Sequence, residues 1–173
     1  HRFAYSFIAD LPDFRDRRRA LRLFFGGLQV AGAGRFHTGQ PFTVNSTIDV
    51  NLDGNLTDRL NTMDGLIVTG SRRQPLRLTA DNTLGLLAPF GRDGSVGRNT
   101  FRAGSVLELD LSLVKRFAFS ARQSLLIRVD AFNFIDRANY GIPVRFLEAP
   151  GFGQATSTVT PGRRIQFALK YSF

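Results

Sequence analysis

The chain has no cysteine, no tryptophan, one methionine and only two histidines, His1 and His37. Without thiols there is no disulfide framework and no thiolate metal site, and cysteine usage carries no mark of a redox compartment. With so few histidines and no cysteine, the usual nucleophile and base pairs have no members to draw on, and no enzyme is expected. Also missing is any run of about 18 apolar residues, which excludes a transmembrane helix but leaves a transmembrane barrel open. The opening HRFAYSFIADLP has neither an initiator Met nor a charged-then-apolar leader, so no signal peptide is visible, and the expectation is that processing or truncation removed the true start. Acidic residues are in the minority, 14 against 23 Lys and Arg, for a formal charge of +9. That field admits nucleic acid, anionic lipid headgroups or acidic substrates and ranks none of them.

What is present is phenylalanine, 17 residues of it, together with a period of two. From Ile165 to Phe173 the chain alternates strictly, with Ile165, Phe167, Leu169, Tyr171 and Phe173 opposed by Gln166, Ala168, Lys170 and Ser172. Leu107, Leu109, Leu111 and Leu113 alternate in the same way with Glu108, Asp110 and Ser112. A helix would scatter those leucines around its circumference. Leu125, Ile127 and Val129 oppose Ser124, Leu126, Arg128 and Asp130, and Phe3, Tyr5 and Phe7 alternate near the start. Strands are therefore predicted near 2–9, 28–44, 105–117, 123–134 and 163–173, with SARQ as a tight turn and 45–104 as one long loop. The connections run about 15, about 60, about 4 and about 25 residues, the alternation of short periplasmic turns and long extracellular loops found in outer-membrane barrels.

Two architectures share this alternation: a barrel with lipid on one face and a wet lumen on the other, and a soluble, secreted antiparallel β-sandwich binding calcium or carbohydrate. Loop lengths favour the barrel, since a loop of about 60 residues fits poorly in a compact soluble domain. So do the aromatics Phe117, Phe119, Phe132, Phe134, Tyr171 and Phe173, placed near strand ends where a membrane girdle sits. Each strand also approaches the roughly 9 to 11 residues that a tilted strand needs to cross a bilayer. The fold class expected is all-β: part of an antiparallel transmembrane β-barrel in the bacterial outer membrane, in contact with its lipid.

The ending RRIQFALKYSF resembles the carboxy-terminal strand by which outer-membrane barrels are recognised for assembly. The segments GGLQVAGAGRFHTGQPFTV and GRNTFRAGSVLELDLSLVKRFAFSARQSLLIRVDAFNFIDRANYG are similar to the end of the TonB-dependent receptor barrel, especially its Oar-like subgroup. The likeness covers most of the chain in order and leaves mainly residues 60–95 without a counterpart. Ala103 stands where that family carries Pro, Leu28 where it carries Trp, and Asp136 where it carries an amide. The resemblance implies the barrel wall of a transporter that takes up an unidentified solute across the outer membrane. Such barrels have about 22 strands around a plug. Five strands cannot close, so the resemblance also implies a piece of a longer product, without its plug domain, that meets TonB through amino-terminal parts beyond this sequence. It further implies engagement of the barrel-assembly machinery through the strand ending in Phe173.

The sharpest local motif is DVNLDGN. Asp49, Asn51 and Asp53 offer oxygens at alternate positions and Gly54 permits the sharp turn, as in the first half of a calcium loop; Leu60 holds the closing position, leaving Asp58 to complete the shell. The plainer reading of the same residues is a Gly/Asn/Asp turn cluster in a surface loop. In DFRDRRRALRLFF, Arg15, Arg17, Arg18, Arg19 and Arg22 form an anion-binding candidate on the periplasmic side, although Asp10, Asp13 and Asp16 interleave and favour a solvated turn. Aromatics here follow the strand period instead of forming a platform with basic residues, so no nucleic acid partner is expected. His37 reads as a strand-end residue. Gly32 and Gly34, and Gly151 and Gly153, lack the third glycine and the helix of a phosphate loop. Glu108, Asp110, Arg128, Asp130 and Lys170 are expected to face the lumen and to pair there.

Overall fold

A computed structural model describes residues 1–14, 18–79 and 83–173, without the side chain of Leu21. Arg15, Asp16 and Arg17 of the arginine-rich run lie outside the described residues. The chain divides into two compact units.

The first unit comprises His1–Phe36, Leu107–Arg137 and Pro161–Phe173 and is one antiparallel sheet. Its strands are β1 (Arg2–Asp10), β2 (Leu28–His37), β3 (Val106–Ala118), β4 (Ser124–Phe132) and β5 (Arg164–Ser172), and their order in the sheet is their order in the chain. The sheet is open, with β1 and β5 at its edges. Register runs from Ser124↔Ala118 to Ala131↔Leu111 between β4 and β3, and from Ser124↔Ser172 to Phe132↔Arg164 between β4 and β5. Because side chains alternate faces along a strand, this register sets the apolar sets in rows: Leu113, Val129 and Phe167 in one, Leu111, Ala131 and Ile165 in the next. The opposite face carries rows such as Ser112, Asp130 and Gln166.

On β2 the glycines have a packing role. A methyl group at Gly34 would meet the Tyr5 ring at 2.5 Å and Leu109 Cδ2 at 2.7 Å, so the ring packs against bare backbone. Between β1 and β2 the chain forms one short helix, α1 (Arg19–Phe25), where the sequence reading placed a turn. Ala, Arg and Leu favour it, and the Gly26 N–H closes it on the Arg22 carbonyl at 3.1 Å.

The second unit, His37–Val106 with Ala138–Thr160, holds every buried hydrophobic side chain among the described residues. Phe42, Val44, Val50, Leu60, Leu76, Leu86, Leu87 and Phe101 from the first segment meet Leu147 and Phe152 from the second. Its backbone is mostly irregular, with two- and three-residue strand pairs such as Pro41–Phe42 against Phe101–Arg102. Main-chain bonds join the segments: Leu147 N donates to the Asn45 carbonyl at 2.9 Å and Ala155 N to the Arg73 carbonyl at 2.7 Å. Gly153, at φ +75, lets the chain pass the Leu76 carbonyl, which a side chain would strike at 2.1 Å. The strand predicted over 28–44 therefore ends at His37, because Phe42 and Val44 turn into this core instead of continuing the sheet. The long loop of 45–104 is thus most of a folded body whose hydrophobic interior it shares with 37–44 and 138–160.

Candidate functional site

The polar face of the sheet gathers charges that the sequence scatters over four strands. Arg35 Nε of β2 meets Glu108 Oε2 of β3 at 2.5 Å, a partner that spacing within one strand does not announce. Arg128 Nε bonds both oxygens of Asp130, at 2.9 and 2.8 Å, two positions along on the same face of β4. Asp110 Oδ1 accepts from Asn133 N at 2.9 Å. A concavity beside these groups is lined by Ser6, Ile8, Ala33, Asp110, Arg128 and Asp130. Lys170 lies level with Leu126 and Arg116 on this face.

Asn133 also binds the start of β5 to the end of β4. Almost fully buried and at φ 48, it donates through Nδ2 to the carbonyls of Arg137 and Pro161 and accepts from Arg137 N through Oδ1. Asp136, also at positive φ, accepts from Arg163 N and pairs with its guanidinium at 3.4 Å. Asn tolerates the left-handed region because its short polar side chain can bond locally. The signal in the sequence was the FNFIDRANYG stretch, which marked a likeness without revealing this clamp.

Among the described residues the apolar face is exposed throughout β1 and β5 and half-exposed on much of β3 and β4. Phe3, Phe167 and Leu169 are 62%, 77% and 72% exposed, while the irregular second unit buries Leu60, Leu76, Leu86 and Leu147 almost completely. A soluble sandwich does the reverse, burying strand faces between two sheets and leaving loops outside. An apolar surface this continuous requires a non-aqueous neighbour.

In the second unit, Asp49, Asn51, Asp53 and Asp58 turn their oxygens toward main-chain N–H groups. Asp49 accepts from Asp53 N at 3.1 Å and from Gly54 N at 2.9 Å. Buried Asp58 accepts from Val50 N and, at 3.3 Å, from Asn51 N. Asn51 Nδ2 bridges Asp53 Oδ2 at 3.1 Å and Asp93 Oδ1 at 2.7 Å, so an amide does the joining that a cation would otherwise do. Asp93 was not foreseen, since it lies 42 positions away in sequence. The Asn55 N–H, followed by the Asn51 amide, holds the Asp53 carboxyl below its ordinary range. Among the described residues no three His, Cys, Asp or Glu side chains cluster so as to hold a metal ion.

His37 is the last residue of β2, with Nδ1 3.1 Å from the Thr38 carbonyl. Arg18, Arg19 and Arg22 are all exposed. Near them the Lys115 ammonium donates to the Gly26 carbonyl and sits 5.3 Å over the Phe117 ring.

The family described as outer membrane beta barrel domain matches residues 1–166. This chain belongs to that family. No curated protein and no solved structure matches it. The barrel domain lies in the bacterial outer membrane, and lipid is the neighbour that the face bearing Phe167 and Leu169 requires. The charged face of the barrel wall is then the lumenal one, where ion pairs such as Arg35 with Glu108 meet water instead of hydrocarbon. Lys115 shares the lipid side with Leu113 and Phe117, near the end of β3. Bending its ammonium to the Gly26 carbonyl keeps that charge off the hydrocarbon.

Proposed function

We propose that this barrel domain is wall of a TonB-dependent transporter of the Oar-like kind, taking up a solute across the outer membrane. The observation that carries the reading is the division of one sheet into a bare apolar face and a face of paired charges, the arrangement of a barrel with a polar interior. The receptor-like segments, running in order through β2, β3 and β4, add TonB dependence to that reading. On the same reading the barrel-assembly machinery engages β5 through its terminal Phe173, and TonB acts through parts outside this sequence. The test is uptake of labelled metal chelates, saccharides and peptides by cells lacking this gene, cells lacking TonB, and cells lacking both. One solute lost equally in all three supports the proposal. A solute whose entry needs this gene but survives loss of TonB identifies a passive channel and overturns it.

For the DVNLDGN loop we infer the turn role, because Asp49 and Asp58 already serve backbone N–H groups. Calcium is the rival, with Asp49, Asn51, Asp53 and Asp58 as its ligands, and a calcium-dependent rise in the melting temperature of the purified chain would establish it.

A further inference from the structure

At the end of the sheet bearing the short turns, α1 and the last residues of β3 border an open recess of about 610 Å³. Arg19 and Arg22 line it from the helix, and Lys115 from the strand, beside Leu23, Phe117 and Phe119. Among the described residues neither arginine has a carboxylate partner, although Asp13 also borders the recess. Leu23, Phe24 and Phe25 are exposed on the same helix, 55%, 68% and 46% in turn.

A solvated turn would not carry three consecutive bare apolar side chains. Basic residues alternating with exposed aromatic and aliphatic ones instead describe a segment lying in a membrane interface, apolar groups in the acyl boundary and cations at headgroup depth. The site continues a lipid contact that the fold already makes, because Phe117 lies in register with Leu125 and Tyr171 on the lipid-facing side. Short turns of outer-membrane barrels face the periplasm, where the adjoining leaflet presents phosphodiester headgroups. A guanidinium pair matches a phosphate by forked hydrogen bonds, and the Lys115 ammonium adds positive charge nearby.

We propose that this recess binds the headgroup phosphate of an anionic phospholipid in the periplasmic leaflet, with Arg19 and Arg22 as its direct ligands and the Leu23 and Phe117 side chains against its acyl chains. The proposal rests on membership of the outer-membrane barrel family and is independent of TonB-dependent transport.

The full chain, folded in zwitterionic micelles, would be given equal phosphatidylglycerol and phosphatidylcholine of matched chains and the retained lipid counted by native mass spectrometry. The unaltered chain should retain phosphatidylglycerol preferentially, and Arg19→Gln with Arg22→Gln should reduce that retention by about fivefold per arginine. Arg19→Lys with Arg22→Lys should keep the preference for anionic lipid, and Arg92→Gln with Arg98→Gln, in the second unit, should leave retention unchanged. Equal retention of the two lipids by the unaltered chain would overturn the proposal. So would retention undiminished in the Gln variant, or displacement of the lipid by an equal concentration of inorganic phosphate. Should the Gln variant fail to fold, the first comparison and the phosphate competition still decide.

Discussion

At Gly34 the absence of a side chain is what the sheet uses, since the Tyr5 ring and a Leu109 methyl group occupy the space above it. Gly34→Val should cost about 1–3 kcal/mol by overpacking. The midpoint of urea unfolding in detergent reads this, and adding Tyr5→Ala should recover part of the loss, as expected for residues in contact. Asp58 makes the complementary case in the second unit. Asp58→Ala leaves the Val50 and Asn51 N–H groups without their acceptor at a cost of about 1–3 kcal/mol. Amide exchange at those two positions should accelerate, and unchanged protection would mean that the carboxylate does not hold the loop. The sequence revealed both residues and neither role. Gly34 looked like an ordinary strand glycine because its reason lies on β1, and Asp58 looked like a cation ligand because its true partners are main-chain N–H donors that spacing does not display.

The strands were easier to read than the loops, for a physical reason. A strand with one face in lipid must alternate, so β3, β4 and β5 show their period plainly in residues such as Leu107 to Leu113 and Ile165 to Phe173. The core of the second unit has no period, because Val44, Leu60 and Leu147 come from irregular segments with up to 103 positions between them. Helix α1 was missed because seven residues leave little room for a 3.6-residue pattern. Leu147 is the one large aliphatic side chain that the second segment of the unit buries fully. Leu147→Ala should cost about 2–5 kcal/mol and make the 138–160 segment the first cleaved by protease. Glu148, beside it, receives Ser46 Oγ at 2.6 Å and Thr47 N at 2.9 Å. Partial burial pushes its carboxyl up, but the Ser46 hydroxyl and the Thr47 N–H outweigh that and hold it below its ordinary 4.5. A depressed pKa stabilises the fold above the unfolded value, and that contribution is lost as pH falls from about 4.5 through the lower folded value. Melting of the second unit should therefore fall with acidification in that window, and Glu148→Gln should flatten the dependence.

For the whole molecule, the lack of cysteine turns into an experimental advantage, because any introduced thiol is unique. Cysteines placed at Gln166 and Ala168 should react with a membrane-impermeant, water-soluble reagent once the chain is in lipid, whereas those at Phe167 and Leu169 should not. Reaction at all four would deny the division of faces on which the outer-membrane placement depends. This division was visible in the alternating sequence, but alternation does not tell lipid from a second sheet. Burial does: among the described residues the hydrophobic interior lies in the connections, and of the five strands of the sheet only β3 joins it, through its first residue, Val106.

The folded body between β2 and β3 also changes how the sheet can assemble. His37 and Val106, where the chain enters and leaves its longer segment, border a single recess together with Tyr140 and Val159, near the ends of the shorter one. A flexible connection is costlier to close the longer it is, by about 0.6 kcal/mol for each doubling. Once this body has folded, the junctions stand close together whatever the chain does in between, and β3 meets β2 as though across a short hairpin. Zipping of the sheet would then await the folding of a body outside it, and variants that loosen the latter would slow membrane insertion while leaving every strand unchanged.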